Sequence, residues 1–282
     1  MNASLRYLSL AALAACLMAG PALAKGKAAL QAPATVSEMV DISADESLEW
    51  YKDTRLYVAR GKARAVRGAM IVEADLLTAH ARDPQEGGAK TQGGSIDTMT
   101  AEGHVVIRDD KQQVYGDRAV YDLDAKLVKI TGSNLRYVTD KDTVTAKDSL
   151  EYDEGQSTAL ARGRAMAEHQ GSRIEADILA ASLETGATGA KEISKIRAKG
   201  NVIIVTKDGG VSRGERAEYD AKQDKAYLMD QVRITRDQTQ LAGDKAEIDF
   251  KTGQSRLLNS GGGRVRALLP SASPSKNKGE QP

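Results

Sequence analysis

The chain has 282 residues, with 40 Lys and Arg against 39 Asp and Glu. That balance leaves no net field to draw it to nucleic acid or to a polyanionic surface, and the length suits one large all-β domain or two smaller ones. Aromatic residues make up only 4 %, with one Trp (Trp50) and one Phe (Phe250), so a core must come from Ala, Val, Ile and Leu in many thin layers.

Residues 1–24 read as a signal peptide. Arg6 supplies a positive start, Leu8 to Ala19 is an apolar run, and "PALA" before Lys25 has the small-x-small pattern of a cleavage site. The run is shorter than the roughly 20 residues of a membrane span and is followed by Lys-Gly-Lys. "LAAC" (13–16) resembles a lipoprotein box, but Leu17 and Met18 continue the apolar run, which favours cleavage after Ala24 over lipidation at Cys16. Either route exports the chain. Cys16 is the sole cysteine, so cleavage after Ala24 leaves neither disulfides nor thiolate metal sites. Residues 25–40 read as a linker.

From residue 41 the chain is a ladder of short elements. Turn signals stand at 52, 67, 109, 123, 140, 153, 169, 207, 221, 236 and 251, and Gly-rich insertions fill 82–94 and 184–192. These thirteen connections predict about fourteen strands, each of roughly 10 residues. Between the turns apolar and polar residues alternate, as in Val105/Ile107 and Val202/Ile204, the mark of a half-buried antiparallel strand. No window keeps a helical stripe. From 270 to 282 the chain is Pro-, Ser- and Lys-rich without apolar periodicity and reads as a disordered tail.

Each strand carries an irregularity at its middle. One class has Gly (Gly61, Gly103, Gly132, Gly163, Gly200, with Asp230 in the same place), and the alternating class has an acid (Glu46, Asp75, Asp117, Asp148, Asp177, Glu215, Asp244). A strand glycine implies a bulge or sharp bend. Bending every strand at its midpoint folds the meander along a crease, giving an open, V-shaped antiparallel β-jelly-roll. The ladder is also duplicated. Glu46 and Asp148, Gly61 and Gly163, and Asp75 and Asp177 are all 102 residues apart, and "EADLLTA" (73–79) returns as "EADILAA" (175–181). The halves run from about 41 to 143 and from 144 to 269.

Alternation assigns an inward column. In the first half it holds Leu48, Trp50, Ala63, Ala65, Leu77, Ala79, Val105, Ile107, Ala119, Tyr121, Leu135, Leu150 and Tyr152. In the second half it holds Ala165, Ala167, Leu179, Ala181, Val202, Ile204, Ala217, Tyr219, Val232, Ile234, Ala246 and Ile248. Nine of these 25 are Ala, so the layers either approach closely or leave an apolar groove suited to an acyl chain. The lipid-facing candidates are the larger members except Ile248, together with Ala119 and Ala217. Two edge strands, around Val40–Trp50 and Ser255–Leu268, invite pairing with another sheet. Ile42, Leu48, Leu257 and Val265 are the edge-pairing candidates, and joining first edge to last would build a head-to-tail homo-oligomer.

Enzymatic chemistry has little support. The repeated acids, including those of "GDRAVYD" (116–122) and "GERAEYD" (214–220), are a property of the rung, whereas catalysis needs one constellation in one cleft. His80, His104 and His169 lack metal-ligand spacing and read as solvated histidines beside turns or on an outer face. No catalytic residue, metal or cofactor is expected. Arg55, Arg60, Arg64, Arg67, Arg264 and Arg266 read as a solvated outer face, with headgroup phosphates as the sharper alternative.

"ISADESLEW", "EADLLTA", "AEGHVVIRDD", "YGDRAVYD", "IRAKGNVIIV" and "LAGDKAEIDF" together resemble the OstA-like family of lipopolysaccharide-export proteins. The resemblance runs from Ile42 to about Leu268. It implies a β-jelly-roll in the periplasm, stacked edge to edge between an inner-membrane partner and an outer-membrane barrel, with lipid A acyl chains in the trough and no catalytic residues. Greater length, the two insertions and the tail depart from the soluble bridge proteins of that family and leave a related jelly-roll export partner as one alternative. A structural envelope scaffold that binds no lipid is the other.

Overall fold

A computed structural model of the chain describes residues 40–82, 96–186, 191–252, 254–259 and 264–270. The signal peptide, most of the linker, the tail beyond Pro270 and most of the two Gly-rich insertions lie outside the described residues. The described chain forms a single antiparallel sheet of eighteen strands, with no helix among them.

The strands group into fourteen rungs. Ten are continuous: β3 (Leu56–Arg67), β4 (Met70–Ala81), β5 (Ile96–Arg108), β6 (Gln112–Asp122), β11 (Thr158–His169), β12 (Ser172–Thr185), β13 (Lys191–Val205), β14 (Val211–Asp220), β15 (Lys225–Arg236) and β16 (Thr239–Asp249). Four are broken at their midpoints into β1 (Asp41–Ser43) and β2 (Ser47–Tyr51), β7 (Leu127–Thr131) and β8 (Leu135–Thr139), β9 (Asp142–Ala146) and β10 (Ser149–Asp153), and β17 (Ser255–Leu258) and β18 (Arg266–Leu268). Each broken rung pairs with both halves of its neighbour; β7 lies against Arg118–Asp122 of β6 while β8 lies against Gln112–Tyr115. The order of rungs follows the chain, so the predicted up-and-down meander is the observed one.

A crease crosses every rung. Register shifts interrupt pairing at Arg60/Ala63, Glu102/Val105, Arg162/Ala165, Lys199/Val202 and Met229/Val232. At each shift two successive residues take left-handed φ: Gly61–Lys62, Gly103–His104, Gly163–Arg164, Gly200–Asn201 and Asp230–Gln231. Two such residues turn the strand sharply, so each rung contributes one arm to each of two facing layers. The first layer holds β1, β8, β9, β18 and the matching arms of the long strands; the second holds β2, β7, β10, β17 and the other arms.

The acidic class clamps this crease from outside. A Cβ added to Gly103 would stand 2.2 Å from Asp75 Oδ2, and one added to Gly200 would stand 2.2 Å from Asp177 Oδ2. Asp117 Oδ2 accepts a hydrogen bond from the Ser133 backbone N–H at 2.7 Å, a donor freed by the break between β7 and β8. Gly116 and Gly214 differ from the crease glycines, for neither takes positive φ. They are small because a Cβ would meet Ile130 Cγ2 at 2.5 Å in the first case and Met229 O at 3.1 Å in the second.

Candidate functional site: the trough between the layers

Along β5, β13 and β15 burial falls from crease to mouth. Val105, Val202 and Val232, next to the bend, are each 1 % exposed, whereas Ile107, Ile204 and Ile234, two residues on, are partly exposed. Alanines fill the apex, where the layers converge; Ala63, Ala165 and Ala246 are fully buried. At those strands the cross-section is therefore a V packed at its base and open at its lip.

Leu77, Val105, Ala119, Leu135, Leu150, Tyr152, Leu179, Val202, Ala217 and Val232 are buried in one continuous core, with Ile107, Tyr121, Ile204, Tyr219 and Ile234 partly exposed at the mouth. Leu48 and Trp50 differ: they are 60 % and 48 % exposed, because β2 belongs to the end rung and no described residue covers its free side. Trp50 stacks on Tyr57 of β3 with ring centroids 4.1 Å apart. Of the edge candidates, Ile42 lies in β1, Leu48 in β2 and Leu257 in β17, while Val265 stands one residue before β18 and is exposed.

In the second half the mouth opens into a cavity of about 580 Å³, within the usual range for a ligand pocket. Ile174, Ile204, Ile234 and Leu241 form one wall; Ile196, Ala217, Tyr219, Ala226, Ile248 and Phe250 form the other. Tyr219 donates to Asp224 Oδ1 at 3.0 Å, and its ring meets Phe250 edge-on at 5.9 Å. The rim carries Arg173, Lys207 and Arg236 together with Asp208 and Asp237; Arg236 pairs with Asp208. The equivalent tyrosine of the first half, Tyr121, donates to Glu154 Oε1 at 2.9 Å. Burial, followed by the Glu154 carboxylate, pushes its hydroxyl pKa up to about 12. Both tyrosines therefore present an apolar ring to the trough and anchor the hydroxyl at its lip.

The outer face is laced with exposed cross-strand ion pairs. Arg60 meets Glu49, Arg64 and Arg108 meet Glu73, and Lys195 and Arg197 share Glu218. Exposed pairs contribute little stability individually, but charged outer faces oppose sheet-on-sheet association.

One of the three histidines corrects the sequence reading. Each pairs with an Asp: His80 with Asp97 at 2.9 Å, His104 with Asp75 at 2.8 Å and His169 with Asp142 at 2.5 Å. His80 is half-exposed and His104 is solvated, and the Asp75 hydrogen bond raises the His104 pKa. His169, however, is 2 % exposed. It continues the alternation Ala165, Ala167, His169 and so belongs to the inward column. Proximity to the turn at 169 obscured that period-two signal. Asp142, His169 and Ser172 lie in register on three adjacent strands. They do not form a nucleophilic triad: His169 Nε2 has no hydrogen-bond partner among the described residues, and Ser172 Oγ accepts from the Lys207 backbone N–H. No cluster of three or more metal-ligating side chains occurs among the described residues.

The chain matches, twice, the profile of a family described as LptA/(LptD N-terminal domain) LPS transport protein, over residues 41–158 and 143–254. Among solved structures it is similar to LptH of Pseudomonas aeruginosa, described as the LptA homologous periplasmic component of the conserved lipopolysaccharide transport device. The identity is 16 % and the TM-score 0.41, over 46 % of this chain and 95 % of that one. No curated protein matches.

Proposed function

The chain belongs to the LptA/LptD N-terminal domain family of lipopolysaccharide transport proteins, and from that premise we propose that it is a periplasmic bridge that binds lipopolysaccharide and passes it from the inner towards the outer membrane. The trough carries the reading. Its apex is sealed by small residues, its mouth is lined by Ile, Leu and Tyr side chains, and its second half opens into an apolar cavity with cations on the rim. Such a section suits an amphiphile whose acyl chains leave water while its phosphates stay at the lip near Arg173, Lys207 and Arg236. Transfer needs no bond making; the lipid moves by exchanging one apolar contact for another, so the protein acts as a non-enzymatic conduit. Cleavage of the signal peptide after Ala24 would release it into the periplasm.

Export partners join at the two end rungs, on which Ile42, Leu48, Leu257 and Val265 sit. Leu48 and Trp50 at one end and Leu258, Leu268 and Leu269 at the other leave apolar surface exposed beside a strand whose outer edge pairs with no described residue. The same ends favour a second reading, a head-to-tail structural filament that binds no lipid.

Photo-crosslinkers test the two readings directly. Placed at Tyr121, Ile107 or Ile204 they should label lipopolysaccharide in cells, and placed at outward Arg108 or Arg233 they should not. Labelling only from the outward sites would defeat the conduit. Depletion separates the readings further: losing a conduit first removes surface lipopolysaccharide, whereas losing a scaffold first alters cell shape.

A further inference from the structure

The trough is not open along its whole length. The mouth residues Ile107 and Tyr121 in the first half, and Ile204 and Ile234 in the second, are partly exposed. Between these stretches Tyr137, Val144, Tyr152, His169 and Leu183 are each 5 % exposed or less. Depth along the arm does not explain the contrast. Tyr152 stands four residues beyond Asp148, as Tyr121 does beyond Asp117, yet only Tyr152 is sealed. The two layers therefore meet at their lips here and form a waist. Its position is the seam of the duplication, for the two family matches overlap over residues 143–158.

Hydrogen bonds fix the lip of the first layer. Asp142 holds His169, and Tyr137 donates to Gln112 Oε1 at 3.1 Å, with all four side chains buried. Across the waist the situation is different. Tyr152 Oη in the second layer and His169 Nε2 in the first are both buried without a hydrogen-bond partner among the described residues. Closure thus rests on apolar packing and leaves two polar groups unsatisfied, a cost that opening would relieve. Opposed contributions of this kind make a two-state element that a ligand can bias.

Building on the lipid-conduit reading, we propose that the chain holds two separate amphiphile sites, one in each duplicated half. The closed waist keeps their acyl chains apart until its two lips part. The first site lies under Val72, Met99, Ile107 and Tyr121; the second is the cavity under Ile204 and Ile234. A lipid crossing from one to the other meets the two unsatisfied polar groups, which offer its hydroxyls or phosphates a partner as the waist parts.

Cys16 is the sole cysteine of the sequence, so in a chain starting at Lys25 single cysteines report the waist without lipid. Leu183→Cys should react with a small maleimide at least about tenfold more slowly than Ile234→Cys. Adding Tyr152→Phe, which removes an unsatisfied hydroxyl, should slow Leu183→Cys further, and Tyr152→Ala should bring it close to the Ile234→Cys rate. Equal reactivity at the two positions in the otherwise unaltered protein would overturn the waist. With purified lipopolysaccharide, photo-crosslinkers at Ile107 and Ile234 should both label, a crosslinker at Leu183 should not, and saturation should reach two lipids per chain. Labelling that is uniform across all three positions, or saturation at one lipid, would overturn the two-site proposal alone. Absence of labelling at every position would instead sink the lipid reading on which it rests.

Discussion

Gly103 takes φ +77° and lies under Asp75, so two separate physical costs meet at one position. An L side chain in the left-handed region costs about 1–2 kcal/mol, and a Cβ here would also displace a carboxylate that holds His104. Gly209 isolates the first cost, since it takes φ +84° with nothing within 4 Å of an added Cβ. We expect Gly209→Ala to lose about 1 kcal/mol and Gly103→Ala to lose roughly 1–2 kcal/mol more, measured by urea unfolding. Equal losses would mean that the acidic clamp contributes nothing. At this scale the sequence was legible where a residue type repeated: the alternation of Gly and acid down the chain predicted the crease, and even Asp230 follows the rule by taking φ +66°. It was less legible where a residue occurs once. His169 has no counterpart at the same place in other rungs, and its Asp142 partner is 27 residues away, so only the register of β9 against β11 joins them.

A side chain at the crease meets a closed apex, whereas one at the mouth of an open stretch meets the cavity. Ala165, the first inward residue after the bend in β11, is fully buried against Ala176 of β12. Ile234, two residues beyond Val232 in β15, lines the cavity and is partly exposed. Enlarging the first should therefore hurt more than truncating the second. Ala165→Leu has no space to occupy and should cost at least about 2–3 kcal/mol by overpacking. Ile234→Ala should cost less than the roughly 2–5 kcal/mol of a fully enclosed site, because the cavity is already open there. Paired unfolding curves check the order; a larger loss for Ile234→Ala would show that the mouth is closed in solution. Alternation alone indicated which residues face inward but could not grade them by depth, since period two is blind to how far the arms have diverged. The same limit applies to strand count. About fourteen strands were predicted and fourteen rungs are present, but four rungs split into separate strands, a break that depends on φ and pairing at residues such as Gly132.

For the whole molecule the consequence of an open meander is two ends left unpaired among the described residues, and the directions of the backbone groups at the last one follow from register. The backbone N–H of Asp249 donates to Gln254 O, and β17 pairs with β16 through Glu247↔Arg256 and Lys245↔Leu258. Hydrogen-bonded pairs alternate in an antiparallel ladder. Residues 254, 256 and 258 therefore direct their backbone groups into the sheet, and Ser255 and Leu257 direct theirs outward. Leu257 also packs against the core, so changing it would confound packing with pairing. Ser255 is exposed. Proline there removes an outward donor and leaves every bond to β16 in place. Ser255→Pro should thus leave thermal unfolding of the monomer within a few degrees of the unaltered chain, while raising the concentration needed for end-to-end association by about tenfold, the equivalent of one lost edge hydrogen bond of about 1.4 kcal/mol. Arg256→Pro is the counterpart, for it breaks the internal ladder and should lower monomer stability. Sedimentation across a concentration series reads both effects. If Ser255→Pro associates as well as the unaltered chain, the β17 arm of the last rung is not the joining edge, and assembly must run through β18 or not use this end at all.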